Sequence, residues 1–385
     1  MSNLRKPIVQ TRRDAWVEIN LGYVEHNIKT LKRYLSGNTL FLAVVKADAY
    51  GHGADMIAST LVASGADALG VASVDEGIQL RNAGISVPII VLGATPDWAF
   101  TSAVENDITL SIFSEEHINS CIHTYKRLGK KPQIHIKVDT GMNRIGISCN
   151  ESLQYIKKVS ELKEIELKGI FSHLACAENP EITQKQKQRW ENLINQIENK
   201  ENLILHLVNT AGMIGYKDMN YGMARAGIGI YGLFPDLHKE VLEKPDLKQV
   251  ISLKGRITYL KEVSKNSGIS YGYSYITQSE TSKIATIPVG YADGVPRSLS
   301  NNIYGVINGN KVKQVGNITM DQIMFDVTEV ENVKTGDIIT LLGEDGGEFI
   351  SINDWADKLN TINYELTCRL RVRLPRVYTR SRQLT

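Results

Sequence analysis

The stretch FLAVVKADAYGHG, residues 41–53, ends an apolar run on a lysine and then breaks into Asp, Tyr, Gly and His. The run is short, continuous and rich in β-branched residues, which is typical of a strand that is covered on both faces. Lys46 would stand at the tip of that strand. A single lysine there is more often a surface residue whose ammonium group reaches solvent. Its importance therefore depends on what else the fold brings to the same place.

Similar apolar segments recur at roughly even intervals up to about residue 232, separated by stretches typical of helices. The eight predicted strands are LFLAVV, ALGVA, PIIVLG, ITLSIF, IHIKV, KGIFSH, LILHLV and one within ARAGIGIYG. Eight strand–helix units of this kind predict an α/β fold, the TIM-like (β/α)8 barrel. A doubly wound sheet is the alternative, but no G-x-G-x-x-G motif opens the first helix. A predicted strand, AWVEIN, and one helix precede the first barrel strand and do not fit the repeat.

After GLFPD the pattern changes to period-two alternation with Gly and Asn turns such as NGN, which predicts a mostly β C-terminal domain. One helix, SINDWADKL, has Ser351 or Asn353 as its predicted N-cap. The domain boundary should lie between residues 235 and 248. We therefore assign residues 14–240 to the barrel and residues 241–385 to the β domain.

Composition excludes several classes of protein. The 385 residues carry 44 Lys plus Arg against 42 Asp plus Glu, a net charge of +2, which favours neither a nucleic-acid nor a membrane partner. Neither an apolar leader nor a membrane-length apolar segment is recognisable, so a cytoplasmic location is expected. The four cysteines are scattered without a C-x-x-C pair, which predicts neither structural zinc nor a disulfide framework, and no metal site is expected.

Polar residues follow several predicted strands, where the active site of such a barrel forms. They are Lys46, Lys137, Asp139, Arg144, His173, Asn209, Thr210, Arg225 and Gly227. A lysine partly shielded from water has a lowered pKa and becomes nucleophilic, as a Schiff base with pyridoxal phosphate requires. Thr210 and Gly227 suit a phosphate cradle, and Arg225 suits the pyridine nitrogen.

The motifs also resemble a family. AVVKADAYGHG, KVDTGMNRIG, GIFSHLA, VNTA, MARAGIGIYG, SYGYSY, PVGYADG, MDQ and NYE occur in this order. Together they resemble pyridoxal-phosphate-dependent alanine racemases, from AWVEINL to LPRVY. The resemblance implies an isomerase that interconverts L-alanine and D-alanine, with D-alanine supplied to peptidoglycan. It also implies a homodimer whose sites are completed across the interface.

The resemblance assigns roles by position. Lys46 would form the internal aldimine and act as one base, and Tyr271 would be the second base. The expected cofactor-binding residues are Lys46, Tyr50, His173, Asn209, Thr210, Arg225, Gly227, Ile228 and Tyr364. The substrate carboxylate would meet Arg144 and the backbone amide of Met320. Lys137 matches a lysine that is carbamylated in some members, the alternative being an ordinary lysine.

The sequence departs from the family at three positions. Thr210 replaces a usual serine and keeps the hydroxyl, while Glu178 and Asn317 stand at the presumed entryway where many members have aspartate and arginine. Loss of that arginine predicts a looser gate and a somewhat wider substrate range, although Tyr364 favours a small side chain.

Two alternatives to an alanine racemase remain. One is a racemase of broader specificity, acting on serine or larger amino acids, and the other is a non-catalytic pyridoxal-phosphate-binding protein. The β domain bearing Tyr271 speaks against the second. A tyrosine base also needs a neighbour that lowers its pKa, and His173 and His206 are both candidates.

Overall fold

The computed structural model describes residues 13–241, 243–370 and 373–380. The chain divides into two compact units. One comprises Leu21–Lys248, and the other joins the residues before Leu21 to those after Lys248. We call the first the barrel unit and the second the β unit.

Among the described residues, eight parallel strands of the barrel unit form a closed barrel, as predicted, and a two-residue strand, Ile147–Ser148, pairs with the fifth of them. They are Leu40–Val44, Ala68–Val71, Ile89–Val91, Ile108–Ile112, Gln133–Asp139, Glu166–Phe171, Ile204–His206 and Met223–Ala226. Each pairs with its neighbours, and the pairing of Met223–Ala226 with Leu40–Val44 closes the barrel. Most side chains of these strands are buried, because helices cover the outside and side chains fill the inside. The predicted fold is confirmed.

Helices follow most of the barrel strands. Those of the barrel unit are Leu21–Lys32, Ala54–Ala63, Val74–Asn82, Phe100–Glu105, Glu115–Leu128, Cys149–Glu161, Pro180–Ile194 and Thr210–Gly215. Ser73, Ser114 and Asn179 accept hydrogen bonds from the first turns of the helices that follow them. The last strand, predicted within ARAGIGIYG, is Met223–Ala226, and Ile228–Tyr231 forms a 3-10 helix.

The β unit is built on a mainly antiparallel sheet. Its described strands are Ala15–Asn20, Ile251–Arg256, Tyr259–Ser264, Gly268–Ile269, Tyr275–Ile276, Thr281–Ile287, Tyr304–Ile307, Asn310–Gln314, Ile323–Asp326, Ile338–Asp345, Glu348–Ile350 and Arg376–Thr379. Its helices are Ile352–Leu359, with Ser351 as N-cap, and Asn363–Arg369.

The N-terminal strand lies in a different unit from the one that the sequence suggested. Ala15–Asn20 pairs antiparallel with Ile251–Arg256 and parallel with Arg376–Thr379, so it is part of the β unit. Residues 14–20 precede the barrel in sequence, but the partners of their strand belong to the β unit. Position along the chain does not specify a strand's partners. No helix of the described residues is long and apolar enough to cross a membrane.

Candidate active site

The predicted residues of the barrel unit come together at one end of the barrel. Lys46 follows the strand Leu40–Val44, and His173 follows Glu166–Phe171. Lys137 and Arg225 lie on their strands near the same end. The strands are parallel, so these four positions share the C-terminal rim where barrel enzymes carry their chemistry.

Arg225 is a buried cation, 3% exposed, held by neutral acceptors. Its Nη2 donates to the carbonyls of Ser172 at 2.7 Å and Leu207 at 2.8 Å, and to His173 Nδ1 at 3.1 Å. Burial lowers its pKa to about 9, so the guanidinium remains charged at neutral pH. A group of this kind donates hydrogen bonds and does not accept a proton.

Two histidines extend this network into the barrel interior. Arg225 Nη1 donates to His206 Nδ1 at 2.8 Å, which places the His206 proton on Nε2, and that nitrogen lies 2.8 Å from His135 Nδ1. Burial and the Arg225 charge lower the pKa of His135 to about 3 and that of His206 well below its usual value. Both rings are therefore neutral links.

His206 can be removed from the candidates that adjust the pKa of a tyrosine base. It is fully buried, and both of its ring nitrogens are engaged within the barrel, by Arg225 and by His135. His173 is half-buried and uses Nδ1 toward Arg225. Burial, then Arg225, lowers its pKa well below the usual value, so its proton sits on Nε2.

Lys137 is buried among cations. Burial lowers its pKa to about 7, and Arg225, Arg144 and Lys46 act in the same direction. Its Nζ also lies 5.0 Å from the centre of the Phe171 ring. A lysine with this pKa has a substantial uncharged fraction near neutral pH, and an uncharged amine is nucleophilic. Arg144 itself is exposed.

The segment that follows Lys46 is a left-handed turn. Ala47, Asp48, Ala49 and Tyr50 have φ of 53° to 54° and ψ of 38° to 51°. Such a conformation costs a non-glycine residue roughly 1–2 kcal/mol, so four in succession must be held by their surroundings. Asp48 Oδ1 accepts from Ala54 N at 2.7 Å, and Glu76 Oε1 accepts from Ala47 N at 2.8 Å.

Three of the residues expected to bind phosphate, Thr210, Gly227 and Tyr50, lie next to one another. Gly227 N donates to Thr210 Oγ1 at 2.9 Å, and a Cβ at Gly227 would lie 2.7 Å from Tyr50 Oη. Gly227 is therefore needed for the close approach of the tyrosine, and Ile228 begins the helix that follows. Asn209 caps the helix Thr210–Gly215 through Gly212 N at 3.0 Å. Small hydroxyl and amide donors at strand ends fit a phosphate group.

Tyr271 belongs to the β unit, where it is 75% exposed. It opens the turn between the paired strands Gly268–Ile269 and Tyr275–Ile276. Asn317 crosses to this turn, since its Nδ2 donates to Tyr271 O at 2.7 Å while Ser270 Oγ donates to Asn317 O at 2.8 Å. The sequence predicts a looser entryway at Asn317. In the structure, this side chain holds the turn that carries Tyr271 in place.

The other predicted residues of the β unit lie on separate elements. Met320 follows Thr319 in a turn whose carbonyl oxygens accept from Tyr291 N at 3.0 Å and Ala292 N at 3.1 Å. A Cβ at Gly290 would lie 2.2 Å from Met320 O, so only glycine permits this approach. Tyr364 is half-buried in the helix Asn363–Arg369. In the barrel unit, Glu178 is exposed directly before the helix cap Asn179.

Comparison with known proteins gives matches over nearly the whole chain. The family described as "Alanine racemase, N-terminal domain" matches residues 19–235, and "Alanine racemase, C-terminal domain" matches residues 250–378. Alanine racemase of Nostoc sp. strain PCC 7120 is 42% identical over 376 residues, which cover 94% of this chain and 95% of the relative.

Solved structures agree with these matches. Alanine racemase of Clostridium difficile 630 superposes with a TM-score of 0.89 at 38% identity, covering 95% of this chain and 96% of that one. Histidine racemase of Leuconostoc mesenteroides subsp. sake NBRC 102480 superposes with a TM-score of 0.87 at 29% identity, covering 96% and 98% of the two chains. One fold therefore serves substrates of quite different side-chain size.

Proposed function

Because this chain belongs to the alanine racemase family, we propose that Lys46 and Tyr271 are its two catalytic bases. The protein is a pyridoxal-phosphate-dependent isomerase that interconverts L-alanine and D-alanine. The observation that carries the residue assignment is the meeting of Lys46, Lys137, His173 and Arg225 at one barrel rim. When bound, pyridoxal phosphate supplies an electron-withdrawing ring system that acidifies the α-proton of the amino acid joined to it.

The barrel residues divide the work of holding the cofactor. Lys46 would bind it covalently through Nζ, and Tyr50, Thr210, Gly227 and the amide of Ile228 would hold its phosphate, with Tyr364 contributing from the β unit. The contact of Gly227 with Thr210 and Tyr50 supports this cradle. Asn209 would serve by fixing the helix that begins at Thr210.

Arg225 would face the pyridine nitrogen, with His173 beside the ring. A guanidinium that is charged at neutral pH donates hydrogen bonds and would disfavour a proton on that nitrogen. Its hydrogen bonds to Ser172, Leu207 and His206 hold its guanidinium in one orientation. We infer that this arrangement favours return of the proton to Cα over side reactions of the cofactor.

Racemisation needs proton transfer on both faces of the substrate. One base cannot easily serve both faces of a planar carbon, so Lys46 Nζ would act on one face and Tyr271 Oη on the other. Tyr271 is exposed, which leaves its side chain accessible to a partner chain and supports this role.

The substrate carboxylate would be received by Arg144 and the backbone amide of Met320. A protonated Lys137 would be repelled by Arg144, whose charge lowers the pKa of the lysine. With a pKa near 7, the uncharged Lys137 amine can attack CO₂, forming an N–C bond and releasing one proton. The resulting carbamate would be an anion that pairs with Arg144, so we propose that Lys137 is carbamylated.

Membership of the alanine racemase family also suggests how the protein assembles and what its product is used for. We propose a homodimer in which the β unit of one chain supplies Tyr271, Met320 and Tyr364 to the barrel rim of its partner. Tyr271, Tyr273 and Met320 are large apolar side chains with exposed fractions of 75%, 70% and 53%, which supports such a contact. D-Alanine made in the cytoplasm would then supply peptidoglycan synthesis.

A broader racemase is the alternative that one observation favours. The histidine racemase shares this fold at 29% identity, so the fold does not restrict the side chain of the substrate. A non-catalytic cofactor-binding protein is disfavoured, because residues 250–378 match the C-terminal domain of the family as well.

A panel experiment tests the proposal. Purified enzyme should form D-alanine from L-alanine with a higher kcat/KM than it shows for serine or histidine, and serine turned over better than alanine would promote the alternative. Borohydride reduction followed by peptide mapping should find the pyridoxyl group on Lys46. Label on another lysine would overturn the assignment of Lys46.

A further inference from the structure

The left-handed turn Ala47–Tyr50 needs an external support, and the side chain of Glu76 reaches it. L-residues avoid this conformation, since Cβ then approaches the following carbonyl oxygen. The turn begins one residue after Lys46, so its stability decides the direction in which the lysine leaves the strand. Contacts from Asp48 and His52 lie toward the far end of the turn.

Glu76 lies in the first turn of the helix Val74–Asn82, in the neighbouring strand–helix unit. Its Oε1 accepts from Ala47 N at 2.8 Å, and its Oε2 accepts from Ala72 N at 2.7 Å. Both carboxylate oxygens are thus used on backbone amides, one at the end of each of two adjacent strands. The carboxylate thus connects the two strand ends through hydrogen bonds to Ala47 N and Ala72 N.

The sequence around Glu76 suggests a more ordinary role. Ser73 and Glu76 form the S-x-x-E pattern of a capping box, in which the glutamate would reach back to the amide of the cap residue. Ser73 Oγ does accept from Glu76 N, at 3.4 Å. The glutamate side chain, however, extends to Ala72 and Ala47 instead. The contact across to the next unit is not required by helix capping.

We propose that Glu76 is a positioning residue for Lys46. Ala47 N belongs to the peptide group whose carbonyl carbon comes from Lys46, so holding this amide holds the plane of that peptide. A charged acceptor makes the stronger kind of hydrogen bond, and Ala72 N fixes the carboxylate at its other oxygen. Glu76 thereby sets the exit direction of the Lys46 side chain without touching the cofactor. This inference rests on the proposed role of Lys46.

The test uses the enzyme purified with its cofactor and three variants. Glu76→Ala removes both hydrogen bonds, and Glu76→Gln keeps one acceptor oxygen but places an amide donor against the second backbone N–H. Asp75→Asn is the matched control, because Asp75 is an exposed acid in the same helical turn. The readouts are amide hydrogen exchange of residues 47–51, cofactor affinity, and the visible absorbance of the bound cofactor as a function of pH.

Loss of two charge-assisted hydrogen bonds should accelerate exchange of residues 47–51 by about tenfold and weaken cofactor affinity by about the same factor in Glu76→Ala. The pH at which the visible absorbance changes should move, and kcat should fall more than KM rises. Glu76→Gln should lie between wild type and Glu76→Ala, while Asp75→Asn should match wild type in all three readouts.

Wild-type exchange and an unchanged absorbance titration in a folded Glu76→Ala enzyme would overturn the proposal. So would equal effects of Glu76→Ala and Asp75→Asn, since they would indicate a general effect of helix charge. If Glu76→Ala does not fold, Glu76→Gln decides by the same readouts. Failure of the Lys46 assignment is detected separately, by borohydride label on another lysine, while the exchange of residues 47–51 still reports on the Glu76 contact.

Discussion

The side-chain amide of Asn317 donates a hydrogen bond of 2.7 Å to the backbone carbonyl oxygen of Tyr271. The bond is part of a reciprocal pair, because Ser270 Oγ donates to the carbonyl oxygen of Asn317 at 2.8 Å. Ser270 and Tyr273 both have positive φ, of 65° and 48°, so this turn is strained on either side of Tyr271. The position of the proposed second base is therefore fixed from a separate loop.

Replacing Asn317 by aspartate should misplace Tyr271. The change keeps the shape but removes the Nδ2 donor, and a lost neutral hydrogen bond of about 1 kcal/mol corresponds to roughly a fivefold fall in kcat/KM for both alanine enantiomers. Steady-state assays in the two directions measure it. Asn310→Asp is the matched control, since Asn310 Nδ2 makes a similar bond of 2.9 Å to Asn308 O in an exposed hairpin. Equal losses in both variants would show that the Asn317 bond has no special role.

His135 should make the stability of the enzyme depend on pH. Its folded-state pKa of about 3 lies below the ordinary value of 6.5, so the unfolded chain binds the extra proton first as pH falls. The contribution of His135 to the free energy of unfolding is therefore complete above pH 6.5 and is lost progressively toward pH 3. The loss is about 1.4 kcal/mol per pH unit where the unfolded chain binds one proton more than the folded chain.

The variant His135→Gln isolates this effect. It should be less stable at pH 7, where it lacks the bond to His206, yet its Tm should fall less steeply than that of wild type between pH 6 and pH 4. His123→Gln, a change at an exposed position of the helix Glu115–Leu128, should keep the wild-type slope. Parallel curves for wild type and His135→Gln would contradict the assignment of a neutral buried histidine.

Lys137 should carry a carbamate that supports Arg144. Enzyme equilibrated with ¹³C-labelled bicarbonate should show one carbamate carbon resonance, which Lys137→Met lacks. The uncharged amine is the reacting form, so occupancy should rise as pH increases through about 7. Without the anion, KM for alanine should rise about tenfold. If Lys137→Met has the wild-type KM, or if wild type shows no carbamate resonance, Lys137 is an ordinary, unmodified lysine.

Active sites that span two chains predict complementation. Tyr271→Phe and Lys46→Ala should each be nearly inactive, and a mixture that forms heterodimers should regain part of the activity, because one of the two sites then has both wild-type residues. Refolding the two variants together and assaying D-alanine formation measures this. Heterodimers that form without recovery would place both bases on the same chain.

The barrel was predictable because each of its strands is a continuous apolar run, a pattern that parallel strands covered on both faces require. Lys46, Arg225 and Thr210 were recognisable because ordered motifs surround them. The N-terminal strand Ala15–Asn20 was misplaced, since its partners lie more than two hundred residues away and no local pattern identifies them.

Contacts between side chain and backbone were beyond prediction for a related reason. In the sequence, Glu76 has the position of a capping-box glutamate, and Asn317 stands where many family members have a gate arginine. The sequence gives the residue type but does not show which backbone amide or carbonyl a side chain contacts. The left-handed turn after Lys46 is also hidden, as Ala47, Asp48 and Ala49 have no common preference for positive φ.

The assignment of one base to each face is tested most directly by hydrogen exchange at Cα in Tyr271→Phe. In deuterated buffer, Lys46 should still exchange the α-hydrogen of D-alanine, whereas exchange from L-alanine should collapse because its base has lost the phenolic oxygen. Tyr273→Phe, a change at the neighbouring exposed tyrosine, should exchange both enantiomers at wild-type rates. Mass spectrometry of the recovered alanine measures both rates. Retained exchange from D-alanine with loss from L-alanine is the predicted result, and equal loss from both enantiomers would contradict it.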